Sequence, residues 1–183
     1  SPEIAKAKGI SGIDPATVLG FGYTMVIVGD FLAIYLAEKL KSRKRSISVF
    51  SAAGCVFFLV FLFCPFHSAN EYYLWSSMLG MTFGTWVVGS TVIAESFGTN
   101  IRATAATTIP NFSRGCVILM NFALMALKPA LGITNAMTCV GAVIFVLSII
   151  AIYLTKETYG TDLTFVDGQK PKDVTKDLGL NNA

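Results

Sequence analysis

Residues 41–66 read KSRKRSISVFSAAGCVFFLVFLFCPF. Four bases in the first five positions give way to twenty-one residues without a charge. A helix rising about 1.5 Å per residue covers the roughly 30 Å hydrocarbon core of a bilayer in about 20 residues. The run from Ser46 to Phe66 is therefore long enough and apolar enough to cross a membrane. Its basic flank marks the end that stays on the cytoplasmic side, where lysine and arginine are enriched.

Four more runs of the same kind flank it. The expected spans are about 15–40, 46–66, 71–97, 101–127 and 131–155, and the loops between them are too short for neighbours to pack other than antiparallel. Of the 183 residues, 54% are hydrophobic and 14% charged, against roughly 25% charged in an ordinary soluble domain. The predicted fold is all-α: a polytopic helix bundle of five transmembrane helices over 15–155. An external loop segment, 1–14, precedes it, and a polar cytoplasmic tail, 156–183, follows. Asp14 and Pro15 suit the N-cap and first turn of the first span. Asn70 is the expected cap of the third, with Glu71 placed against the helix dipole.

Orientation rests on the bases. One side carries Lys39, Lys41, Arg43, Lys44, Arg45, Arg102, Lys156, Lys170, Lys172 and Lys176, and the other carries Lys6, Lys8 and Lys128. The amino end is accordingly expected outside and the carboxyl end inside, in a plasma (inner) membrane. The net charge of +3 does not imply nucleic acid, because the bases are not interleaved with stacking aromatics on one face. Cys55, Cys64, Cys116 and Cys139 lie within apolar runs without metal-site spacing and read as buried thiols. No leader-like segment opens the chain. An odd number of spans with an external amino end then implies a piece of a longer protein.

The stretch Ala94-Glu95-Ser96-Phe97-Gly98-Thr99-Asn100-Ile101-Arg102-Ala103-Thr104 resembles the turn between helices ten and eleven of major facilitator transporters of the sugar-porter and metabolite-porter type, with Gly98 in place of the usual proline. Lys156-Glu157-Thr158-Tyr159-Gly160 is similar to the Pro-Glu-Thr-Lys-Gly element that closes sugar-porter membrane regions. Residues 34–45 are placed like a degenerate second copy of the family's acidic-basic loop motif. The resemblance covers about residues 15–165 and implies helices eight to twelve of a major facilitator fold, with the amino-terminal helices of the same transporter as missing partners. It also implies a charge latch of Glu38, Arg43, Lys44, Glu95 and Arg102 at the cytoplasmic face. Apart from the family, Glu95 and Arg102 flank a short turn on the same side as the basic loop, where opposite charges can pair. They can equally serve as plain topology markers.

Two ionisable residues fall inside spans, where charge is costly enough to raise a functional hypothesis. Asp30 lies about 14 Å from Lys39 along its helix and Arg114 about 18 Å from Arg102, so their depths match. Thr107, Asn111, Arg114, Ile118 and Asn121 form one stripe at helical spacing, too polar for lipid, and Pro110 frees a backbone carbonyl beside it. Tyr23 shares the face of Asp30. Trp75, Thr82, Trp86 and Gly89 form a further stripe, and Gly80 and Gly84 have the Gly-x-x-x-Gly spacing of close helix contact.

These residues predict a solute carrier working by alternating access around a midplane site, with Tyr23, Asp30, Trp86, Thr107, Asn111, Arg114 and Asn121 on the substrate or proton pathway. Its partners are the lipid bilayer and a small solute, a sugar or organic metabolite. Asp30 is the candidate for proton coupling, and Arg114 for a substrate carboxylate. Alternatively the two form a structural pair that fixes helix register. No cofactor or metal is implied, and no cluster with nucleophile or ligand spacing suggests an enzyme. The rival from another class is a non-transporting receptor or assembly subunit with a major facilitator-like body.

Overall fold

A computed structural model describes residues 4–5, 8–10, 12–161, 163–164 and 166. Most of the expected tail, including Lys170, Lys172 and Lys176, lies outside the described residues, as does Lys6. The elements are α1 (Pro15–Leu40), α2 (Arg43–Phe63), α3 (Ala69–Met81), a 3-10 turn (Thr82–Gly84), α4 (Thr85–Ser96) and α5 (Arg102–Leu154). Among the described residues, four helical stretches are long and apolar enough to cross a membrane: Pro15–Leu40, Arg43–Phe63, Ala69–Ser96 and Arg102–Leu154.

The caps explain most of the boundaries. Asp14 accepts from the backbone N–H groups of Ala16 and Thr17, with Pro15 in the first turn of α1, as its sequence predicts. Lys41 ends α1 in the left-handed region at φ 47°, so α2 starts three residues earlier than its apolar run. Ser42 is its cap. Asn70 does not cap α3. Ser68 does, accepting from Glu71 N–H while Glu71 accepts from His67 N–H, a reciprocal Ser-x-x-Glu arrangement that closes two donors at once.

The expected loop at 128–130 is helical, and the interruption falls at Gly132, whose φ of 73° and ψ of 166° are not helical. Only glycine adopts that region cheaply. Asn121 and Leu124 line one cavity of about 280 Å³ together with Met137, Val140 and Gly141. A straight helix would put the ends of that set roughly 30 Å apart, so the chain turns back on itself around Gly132.

α1 packs along α3 with almost no side chain between them. A Cβ on Gly80 would meet the Gly22 carbonyl, and one on Gly84 the Gly29 carbonyl. The predicted Gly-x-x-x-Gly contact is thus present, answered by two glycines on α1. The 3-10 turn follows at once and divides the expected stripe on this span. Thr82 packs against Gly54 of α2, Trp75 lies in an aromatic cluster with Phe57 and Phe66, and Trp86 faces α5. That cluster, with Phe61 and the fully buried Tyr72, also buries Ile4 and Ala5 from the segment before α1. Lys8 holds the segment down, its Nζ 2.5 Å from the Cys64 carbonyl and 4.4 Å above the Phe66 ring. The thiols are less buried than expected: Cys64 and Cys139 are exposed, and Cys55 and Cys116 half-buried.

Candidate functional site: an open cavity with two opposed charges, and a charge network at the basic end

Where α1, α3 and α4 meet the first half of α5, an open-sided cavity of about 620 Å³ is lined by Tyr23, Asp30, Phe83, Trp86 and Arg114 among apolar neighbours. The close approach of α1 and α3 forms its floor, because Gly22 and Gly80 line it too. Asp30 lies past the middle of α1, and its Oδ1 is buried without a hydrogen-bond partner. The guanidinium of Arg114 lies 5.4 Å above the Trp86 ring and donates to Asn111 Oδ1 at 3.5 Å. Asp30 and Arg114 thus line one cavity, in keeping with their comparable depths, but no ion pair joins them.

The rest of the predicted stripe divides. Asn111 donates to the Thr107 carbonyl at 2.9 Å, and Thr107 donates to the carbonyls of Ala103 and Thr104. Both therefore satisfy backbone of their own helix. Asn121 lines the smaller cavity between the two halves of α5, because two further turns, about 10 Å, carry it away from Arg114.

At the basic end, Arg43 bridges two acids. Its Nη1 lies 2.7 Å from Glu38 and its Nη2 3.2 Å from Glu95, and Glu95 is buried. Two predicted members lie elsewhere. Lys44 donates to the carbonyls of Tyr153 and Thr155, neutralising the carbonyl end of α5. Arg102 does not reach Glu95: it donates to Phe97 O at 3.1 Å and Leu163 O at 2.8 Å. Phe97 is extended, and this turns the chain so that Arg102 reaches back to the turn's own carbonyl.

The largest contribution missed from sequence is made by Glu157, Thr158 and Tyr159. Glu157 accepts from the Ser42 hydroxyl and from the backbone N–H groups of Arg43 at 2.8 Å and Lys44 at 3.4 Å. Thr158 donates to Glu95 at 2.6 Å, and Tyr159 to Glu38 at 3.0 Å. The Tyr159 ring lies 5.1 Å from the Arg43 guanidinium carbon. Burial pushes the Glu157 carboxyl upward, but the Ser42 hydroxyl and the N–H groups of Tyr159, Arg43 and Lys44 outweigh it and hold the group below its ordinary 4.5. The signal available in sequence was the Lys156–Gly160 element itself, whose acid and hydroxyls lie on the same side as the basic loop.

Compared with known proteins, the chain matches no family model, no curated protein and no solved structure.

Proposed function

We propose that the chain is part of a secondary transporter of the major facilitator type, moving a small solute by alternating access. The observation that carries this reading is the cavity itself. Two opposite charges, unpaired with each other, face one open space between helices long and apolar enough to span a bilayer. A purely structural pair would be expected to close on itself, since an uncompensated buried charge is costly. A cavity that keeps two charges apart suits a solute that comes and goes. The network around Arg43 and Glu95 fits a contact that breaks and reforms: one of its two ion pairs is largely solvated and the other partly buried.

In this reading α5 is two spans joined at Gly132, giving five crossings with the basic loop and carboxyl end cytoplasmic. Impermeant thiol labelling in a cysteine-free background tests the count. A cysteine at Lys128 should react from the same side as one at His67, whereas reaction from the opposite side would leave four crossings. Transport is tested with the full-length protein in vesicles. Accumulation of a solute that falls by more than about tenfold in both Asp30→Asn and Arg114→Gln, at normal expression, supports the reading. Normal expression with no uptake of any solute, with or without a proton gradient, favours the non-transporting receptor or subunit.

A further inference from the structure

The cavity also carries information about the chemistry of its occupant, and this step rests on the transporter reading. Among its described lining residues, Asp30 and Arg114 are the only charged ones. Each has unused hydrogen-bonding capacity. An ionised carboxylate offers about four acceptor positions, and Asp30 lines the cavity with no hydrogen-bond partner on its Oδ1. A guanidinium offers five donors in a planar fork. Arg114 commits one of them to Asn111 at 3.5 Å, and its guanidinium carbon lies 5.4 Å from the centre of the Trp86 ring. The remaining donors are left for an acceptor, and a carboxylate matches the guanidinium fork bidentately.

Charge balance narrows the class. A ligand with only a carboxylate satisfies Arg114 but places a second negative charge in the cavity with Asp30. A ligand with only an ammonium group does the reverse beside Arg114. A neutral polyol supplies hydrogen bonds and leaves both charges without counter-ions. A ligand bearing one of each neutralises both and leaves the cavity with no net charge. The rings of Tyr23, Phe83 and Trp86 add faces suited to an ammonium group and to a short methylene chain.

We propose that the cavity binds a small zwitterion, its carboxylate on Arg114 and its ammonium on Asp30. Because the two side chains make no ion pair with each other, the charges of the solute must bridge a gap. A series of ω-amino acids from glycine through 4-aminobutanoate to 6-aminohexanoate therefore probes the spacing.

The experiment uses the full-length protein, purified and reconstituted. Thermal stabilisation and vesicle uptake are measured for that series, for hexanoate, for hexylamine, and for sorbitol and glucose. One or more of the zwitterions should bind roughly ten- to a hundredfold more tightly than hexanoate, hexylamine or either polyol, as expected for a second charged hydrogen-bonded contact. Asp30→Asn should then weaken the zwitterion and hexylamine while hexanoate, relieved of a like charge, binds as well or better, and Arg114→Gln should weaken the zwitterion and hexanoate while hexylamine binds as well or better. Uptake of glucose, sorbitol or hexanoate with no binding of any zwitterion would overturn the inference and leave the transporter reading standing. No binding or uptake of any probe would overturn the zwitterion assignment and count against transport as well. If either variant fails to fold, the ranking of the probes on the unmodified protein decides alone.

Discussion

Replacing Arg43 by methionine isolates the energetics of the network at the basic end. The Arg43 side chain is 15% exposed, and its two acidic partners differ sharply, Glu95 at 10% and Glu38 at 53%. Removing the guanidinium leaves the Glu95 carboxylate with one hydroxyl donor, Thr158. Uncovering one partner of a buried ion pair costs about 3 kcal/mol or more. The Glu38 pair is shorter, 2.7 Å against 3.2 Å, yet it faces solvent, where such a pair is worth about 0.5 kcal/mol. Burial rather than distance should therefore rank the two. Double-mutant cycles read by reversible unfolding in mixed micelles should give a coupling of about 2–3 kcal/mol for Arg43→Met with Glu95→Leu. The cycle with Glu38→Gln should give less than about 1 kcal/mol. Equal couplings, or a larger one for Glu38, would refute the argument.

Two further outcomes follow from the helix contacts and the capping carboxylate. Gly29→Ala and Gly84→Ala each place a Cβ on a rigid backbone carbonyl, of Met81 and Gly29 respectively, and should lower stability by about 1–3 kcal/mol. Gly89→Ala and Gly115→Ala, which meet open space, should be neutral or gain up to about 1 kcal/mol in helix propensity; the same unfolding assay compares all four. For Glu157, whose folded carboxyl is held below its ordinary 4.5, the contribution to stability is present at neutral pH and disappears as pH falls through the folded value. The stability difference between the protein and Glu157→Gln should thus be constant from pH 7 to about pH 5 and shrink below that, measured by unfolding across an acid series.

Composition and run length made the helices legible, because a bilayer demands about 20 apolar residues whatever the neighbours do. Asp14 with Pro15 placed the start of α1, and the spacing of Gly80 and Gly84 placed the α1–α3 contact. Counting along two helices put Asp30 and Arg114 at one depth, and they line one cavity. Periodicity failed where the helix itself is interrupted. The stripe through Trp75, Thr82 and Trp86 assumed an unbroken helix, and the 3-10 turn at Thr82–Gly84 redirects it. The break at Gly132 depends on one backbone conformation, whereas apolar run length puts the loop at 128–130. Arg102 was assigned a carboxylate because its charge is visible in sequence, whereas the carbonyls it binds are not. For the same reason Glu157, more than a hundred residues from the helix it caps, could not be paired with Ser42 by spacing.

The distance between Glu157 and the backbone it caps has a bearing on how the chain is made. The N–H groups of Arg43 and Lys44 find their carboxylate 114 and 113 residues later. A ribosome adding about 5–20 residues per second reaches that residue roughly 6–23 s after it has made the first turn of α2. Until then water, or the phosphate of an anionic lipid, must meet those donors. The hairpin of α1 and α2 is therefore made with one end unfinished, and a segment translated more than a hundred residues later completes it.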